Sequence, residues 1–110
     1  MWSTYTFSSP ITTASYNLIA DNASNTILFY GATNTVNLPT AAITGQNIVI
    51  YNTGSFTITI APASGEVIVV NGTAKAANGT FTLSSGVGNF VVLFSDGVRW
   101  TTFGYKGTLT

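Results

Sequence analysis

The sequence predicts an all-β domain, an antiparallel β-sandwich or barrel of jelly-roll type, on three observations. Gly and Asn punctuate the chain at short, regular intervals, a spacing typical of short strands joined by tight turns. β-branched and aromatic residues fill the gaps. No window sustains the helical period of an amphipathic helix.

Ten strands are expected, near Thr4–Ser8, Tyr16–Ile19, Thr26–Tyr30, Thr35–Leu38, Asn47–Tyr51, Thr57–Ala61, Val67–Val70, Thr80–Leu83, Asn89–Ser95 and Val98–Phe103. Leu38-Pro39 closes the fourth, because proline cannot donate to a ladder. The sixth alternates cleanly: Phe56, Ile58 and Ile60 share one face, Thr57 and Thr59 the other. Phe29 and Tyr30 point to opposite faces, so only one of them belongs to the core. Turn formers sit between the strands at Gly31, Asn52-Thr53-Gly54, Ser64-Gly65, Asn71-Gly72, Asn78-Gly79 and Asp96-Gly97, where Gly or Asn adopts a positive φ at little cost. Asn71–Gly79, in one-letter code NGTAKAANG, reads as the most mobile loop.

The 110 residues suit one domain spanning 1–110. Charged residues make up 5% of the chain and hydrophobic ones 45%, against a charged share of about 25% in ordinary domains. The polar surface therefore consists of Thr, Ser and Asn. Three acidic and three basic residues cancel, which leaves no field to attract nucleic acid or an anionic bilayer. The N-terminus lacks the basic start and apolar stretch of a signal peptide, and no apolar run approaches the roughly 20 residues of a membrane span. No membrane insertion is expected.

The final hairpin poses a packing problem. A two-residue Asp96-Gly97 turn would pair Ser95 with Val98, Phe94 with Arg99, Leu93 with Trp100, Val92 with Thr101, Val91 with Thr102 and Phe90 with Phe103. One face then carries Val91, Leu93, Val98 and Trp100, the other Phe90, Val92, Phe94 and Phe103 with Arg99 at the rim. A two-layer domain covers one face of each sheet, and each large apolar side chain left in water forgoes about 1.5–3 kcal/mol. The second face is most economically covered by another copy of the chain, so Phe90, Val92, Phe94 and Phe103 are the candidate oligomer interface.

Several segments together resemble a known domain: Thr35–Pro39, Gly45–Asn52, Thr57–Ile60, Gly65–Ile68 and the closing Ser95–Trp100. Their order is similar to that of a C-terminal domain common in tail-fibre, tailspike and capsid-spike proteins of bacteriophages and related viruses. The resemblance spans about nine-tenths of the chain. It implies a trimeric β-rich head on the virion surface, in company with other virion proteins, that binds a host surface receptor, often a glycan. One departure from the family pattern is that these 110 residues show no obvious shaft repeat ahead of the matching segments.

Catalysis finds little material. Without His or Cys, a Ser-His-Asp triad, a cysteine nucleophile and the commonest zinc sites are excluded. A glycosidase pair could only come from Asp21, Glu66 and Asp96, and Glu66 and Asp96 are better read as turn residues. No cofactor is implied, and the chain reads as a binding protein rather than an enzyme. Trp100, mid-strand, reads as packing, whereas Trp2 and Tyr30 could equally stack on a sugar. Arg99 could clamp a carboxylated sugar or cap an aromatic face. The sequons at Asn22, Asn71 and Asn78 matter only in a secretory pathway, and the last two read as turns. The loops richest in donors and acceptors are Tyr30–Asn34 and Asn71–Gly79, which makes Tyr30, Asn34, Lys75 and Asn78 the candidate ligand residues. Their neutral amides and hydroxyls suit neutral sugars. A carbohydrate-binding module of a secreted enzyme and a purely architectural trimerisation domain are the alternative readings.

Overall fold

The computed structural model describes residues 5–7, 16–17, 25–31 and 35–110. They form eleven strands and no helix: β1 Tyr5–Phe7, β2 Tyr16–Asn17, β3 Asn25–Tyr30, β4 Thr35–Asn37, β5 Asn47–Asn52, β6 Ile58–Ala61, β7 Ile68–Val70, β8 Thr73–Ala74, β9 Phe81–Leu83, β10 Phe90–Ser95 and β11 Trp100–Lys106. Each of the ten expected strands overlaps one of these. The eleventh, β8, falls inside the loop expected to be mobile. There Asn71 and Gly72 take φ of 50° and 83° and fold β8 back onto β7, pairing Val70 with Thr73. Two consecutive positive φ values are what the tightest hairpin turn demands, and Asn-Gly meets them at least cost.

The strands form two sheets, a seven-stranded one ordered β1-β3-β5-β10-β11-β7-β8 and a four-stranded one ordered β2-β4-β6-β9. The expected antiparallel pairing is corrected: β1–β3, β3–β5, β2–β4, β4–β6 and β7–β11 are all parallel. From β1 to β6 the chain alternates between the sheets, each strand lying parallel to the one two places earlier. Tyr5, Asn25 and Asn47 stack in register in one sheet, and Tyr16, Val36 and Ile60 in the other. The chain thus returns to the same sheet once per coil, as in a solenoid. Parallel neighbours require a crossover of about a dozen residues or more, and passage through the opposite sheet supplies it. A jelly roll, built from antiparallel Greek keys, does not have such coils.

Antiparallel strands close the stack. β10 pairs with β5 and β11, and β9 with β6. Residues 108–110 then line the outer edge of β9, where Thr82 and Thr110 exchange backbone bonds of 3.0 and 3.1 Å and Leu83 bridges Leu109.

One core lies between the sheets. Leu28, Tyr30, Ile48, Ile50, Ile68, Val91, Leu93 and Trp100 come from the larger sheet, and Val36, Ile58, Ile60, Phe81 and Leu83 from the smaller. Alternation selects them: β10 reads half-buried and buried in turn, with Val91 and Leu93 inward. Trp100 is fully buried, and its indole N–H donates to the Pro39 carbonyl at 2.9 Å. The Cα radius of gyration is 12.6 Å, close to the roughly 13 Å of a compact chain this long.

The terminal hairpin departs from its expected register. Ser95 pairs with Trp100, Phe94 with Thr101 and Leu93 with Thr102; beyond a bulge, Val92 pairs with Gly104, Val91 with Tyr105 and Phe90 with Lys106. The turn is centred on Gly97-Val98 because Asp96 stays outside it as a clamp. Its carboxylate accepts the Arg99 and Val98 amides at 2.7 and 2.9 Å, and its own N–H donates to the Arg99 carbonyl. Gly97 takes φ of 93°, the positive φ that the first central position of a Gly-X turn needs. Val98 moves from the expected core face to the turn and is 67% exposed. Trp100 keeps its inward face, since an even register shift preserves the alternation.

The Asp96 clamp predicts an acid response. The Arg99 amide, then the Val98 amide, hold its carboxyl below the ordinary value of 3.8. A pKa lower in the folded than in the unfolded chain contributes stability that is present above the unfolded value and lost as pH falls through the folded one. Thermal melts are expected to be flat between about pH 5 and 7 and to drop below about pH 4. Asp96→Asn keeps an acceptor oxygen without the titration and should reduce that drop; equal acid slopes in both proteins would refute the clamp.

Candidate functional site

Each strand of the larger sheet has an outward face as well as a core face. On β3 this face carries Ile27 and Phe29, on β5 Val49 and Tyr51, and on β10 Phe90, Val92 and Phe94, all half-buried. The register aligns Ile27, Val49 and Val92 in one row, and Phe29, Tyr51 and Phe90 in another. Phe29 meets Tyr51 edge-on at 5.5 Å between ring centroids, and Phe94 meets Phe103 edge-on at 4.8 Å. The bulge in the β10–β11 pairing aims Phe103 onto this face, where it remains 77% exposed. The four interface candidates therefore share one surface, although Phe90 and Phe103 do not pair.

Of the four ligand candidates, Tyr30 is corrected. It is fully buried on the core side of β3, and Phe29 takes the outward position. Burial pushes the Tyr30 hydroxyl above its ordinary value of 10.0. A side chain sealed between two sheets cannot reach a receptor. Asn34, like Trp2, Asp21 and Asn22, lies outside the described residues.

Asn78 is on the surface, but its side chain is already engaged. Its Oδ1 accepts the Gly65 amide at 2.6 Å and its N–H donates to the Glu66 carbonyl at 2.9 Å. With φ of 65°, it fastens the 76–79 turn to the turn before β7. Lys75 is half-buried, its backbone amide bonded to the Ile68 carbonyl at 2.9 Å.

Lys75 lies between two clefts. One, of about 260 Å³, is lined by Val70, Asn71, Thr73, Lys75, Leu109 and Thr110. The other, of about 380 Å³, is formed where the β7–β8 hairpin meets the β10–β11 turn, and Glu66, Val67, Ala74, Lys75, Val98 and Arg99 line it. The second is at the lower end of the range for small-molecule sites. Sequence reasoning found Lys75 and Arg99 singly but missed their convergence. No local signal announces it, because the two stand far apart in the chain and only the parallel β7–β11 pairing brings them together.

Both described carboxylates serve the scaffold. Glu66 accepts the Thr40 hydroxyl at 2.5 Å and the Ala41 amide at 2.8 Å, one on each oxygen, and Asp96 clamps the terminal turn. Among the described residues, no three acidic side chains gather as a metal site would require.

A structural role for Asn78 has a measurable signature. Asn78→Ala should cost about 1.5–3 kcal/mol, from a left-handed backbone that alanine resists and a lost hydrogen bond. Asn78→Gly restores the backbone freedom but not the bond and should cost clearly less. Thermal or denaturant melts decide it, and an Asn78→Ala protein as stable as the parent would show that the fastening is dispensable. In comparisons with known proteins, no family model matches the chain and a search of curated proteins finds no match.

Proposed function

We propose that the chain is the head domain of a virion fibre or spike, a two-layer β-sandwich that assembles as a homotrimer and attaches to a host surface receptor, a glycan. The observation that carries the reading is the outward face of the larger sheet. Phe29, Tyr51, Phe90, Phe94 and Phe103, with Val92 among them, form a largely aromatic apolar surface on a chain of zero net charge. Neutral chains lack the mutual repulsion that keeps apolar surfaces apart. Packing that face against two further copies would remove it from water, and apolar contacts of this kind persist at high salt. The clefts around Lys75 sit toward the β8 edge of the same sheet, and a receptor bound there would be met three times over for avidity.

A glycan array combined with light scattering tests both halves. The expected outcome is a trimer in dilute solution that retains its mass at high salt and binds at least one class of glycan. A monomer that binds glycans would favour the carbohydrate-binding module, and a trimer without ligands the architectural domain. Phe103→Asp provides the mutational check. In a covered interface it would bury an unpaired charge at a cost of several kcal/mol, giving monomer or aggregate. An unchanged oligomer with an unchanged melting temperature would remove Phe103 from the interface.

A further inference from the structure

We infer that the cleft between the β7–β8 hairpin and the β10–β11 turn binds a carboxylate-bearing sugar, an inference that rests on the receptor reading above and names the ligand class. The chain has only three cationic side chains, Lys75, Arg99 and Lys106, and two of them line this one cleft. The Lys75 ammonium makes no hydrogen bond or ion pair among the described residues. Arg99 has one weak partner there: its Nε lies 3.9 Å from Asp96 Oδ2, while the other Asp96 oxygen is occupied by two backbone amides. The planar guanidinium, exposed at the cleft rim, keeps donors free for a bidentate carboxylate.

The remaining lining fits the body of a pyranose. Val67, Ala74 and Val98 offer apolar surface for the C–H face of a ring. Val98, displaced into the turn by the shifted register, has no core role there. Glu66 is the one acid in the lining, and each of its oxygens already accepts a bond from residue 40 or 41. Those bonds hold its charge toward the loop, and its remaining lone pairs can accept ring hydroxyls. A neutral sugar would use the apolar wall and leave both cations unanswered. An acidic sugar uses all three features. The low charge of the whole chain suggests neutral ligands, but the fold concentrates what charge exists at one place.

The test is an amide-resolved NMR titration of the intact protein with sodium glucuronate, glucuronamide and sodium acetate. Glucuronate should shift the amides of Val67, Ala74, Val98 and Arg99, with glucuronamide and acetate each at least roughly tenfold weaker, since a charge-assisted hydrogen bond and the sugar contacts both contribute. Arg99→Gln and Lys75→Gln, each checked for an unchanged melting temperature, should each weaken glucuronate severalfold, and about 1 M salt should do the same. Glucuronamide equal to glucuronate, or affinity within twofold in both variants, would overturn the carboxylate. Acetate equal to glucuronate would overturn the sugar. The glycan array separates this inference from the receptor reading. Hits confined to neutral glycans defeat the acidic ligand and leave the receptor role standing. Cleft shifts with glucuronate and no array hit do the reverse.

Discussion

The structure depends on satisfying backbone groups at the corners where the chain leaves one sheet for the other. Within a strand the ladder supplies every partner, but at a corner N–H and C=O groups turn inward without one, and leaving them unmet in a dry interior costs about 1–3 kcal/mol each. Here uncharged side chains fill the gaps. Gln46, buried at the entry to β5, donates to the Thr40 and Ile43 carbonyls, while Ser95 accepts the Gln46 amide and donates to Ile43. Asn52, buried where β5 ends, donates to the Phe56 carbonyl and accepts the Gly54 amide. Asn89 spans the Ser84 and Ser85 carbonyls ahead of β10.

This use of amides and hydroxyls accounts for the composition. A chain with few charges still needs polar groups that survive burial, and Asn, Gln and Ser can donate and accept without an ionic desolvation penalty. The core is correspondingly free of charge, and each fully buried Ile, Leu, Val or Phe adds about 1.5–3 kcal/mol relative to exposure. The same economy leaves the few true charges at the surface, where Arg99, Lys75 and Glu66 meet at one cleft.

Strand positions were legible from local chemistry, while strand order was not. Turn formers and alternation located all ten expected strands, and opposite facing made one of Phe29 and Tyr30 a core residue. However, closely spaced turns describe an antiparallel meander and a two-sheet coil equally well. The difference lies in which distant strand becomes the neighbour, as when Asn47 stacks on Asn25. The hairpin register is not legible from the Asp96-Gly97 pair, because the Asp96 carboxylate satisfies the amides of the turn from just outside its centre. Tyr30 reads as a ligand residue because it precedes a glycine, yet position along a strand says less than parity within it. Asn78 is legible as a turn former from its Asn-Gly pair, but no local signal shows that its side-chain oxygen accepts the distant Gly65 amide. The outward aromatic face could be read in advance, since alternation alone sorts Phe90, Val92 and Phe94 from Val91 and Leu93.

The order of the larger sheet has a consequence for the time course of folding. The coils from β1 to β6 need only neighbours one coil earlier in the chain and can add one after another as the chain emerges. By contrast, β7 occupies a place beside β11, the last strand to be made. Until the β10–β11 hairpin has docked on β5, Ile68 and Val70 have no sheet to join. Longer-range closures of this kind slow folding and prolong the exposure of apolar strands. On a ribosome, the coiled half would be structured while the hairpin half was still waiting for its last segment.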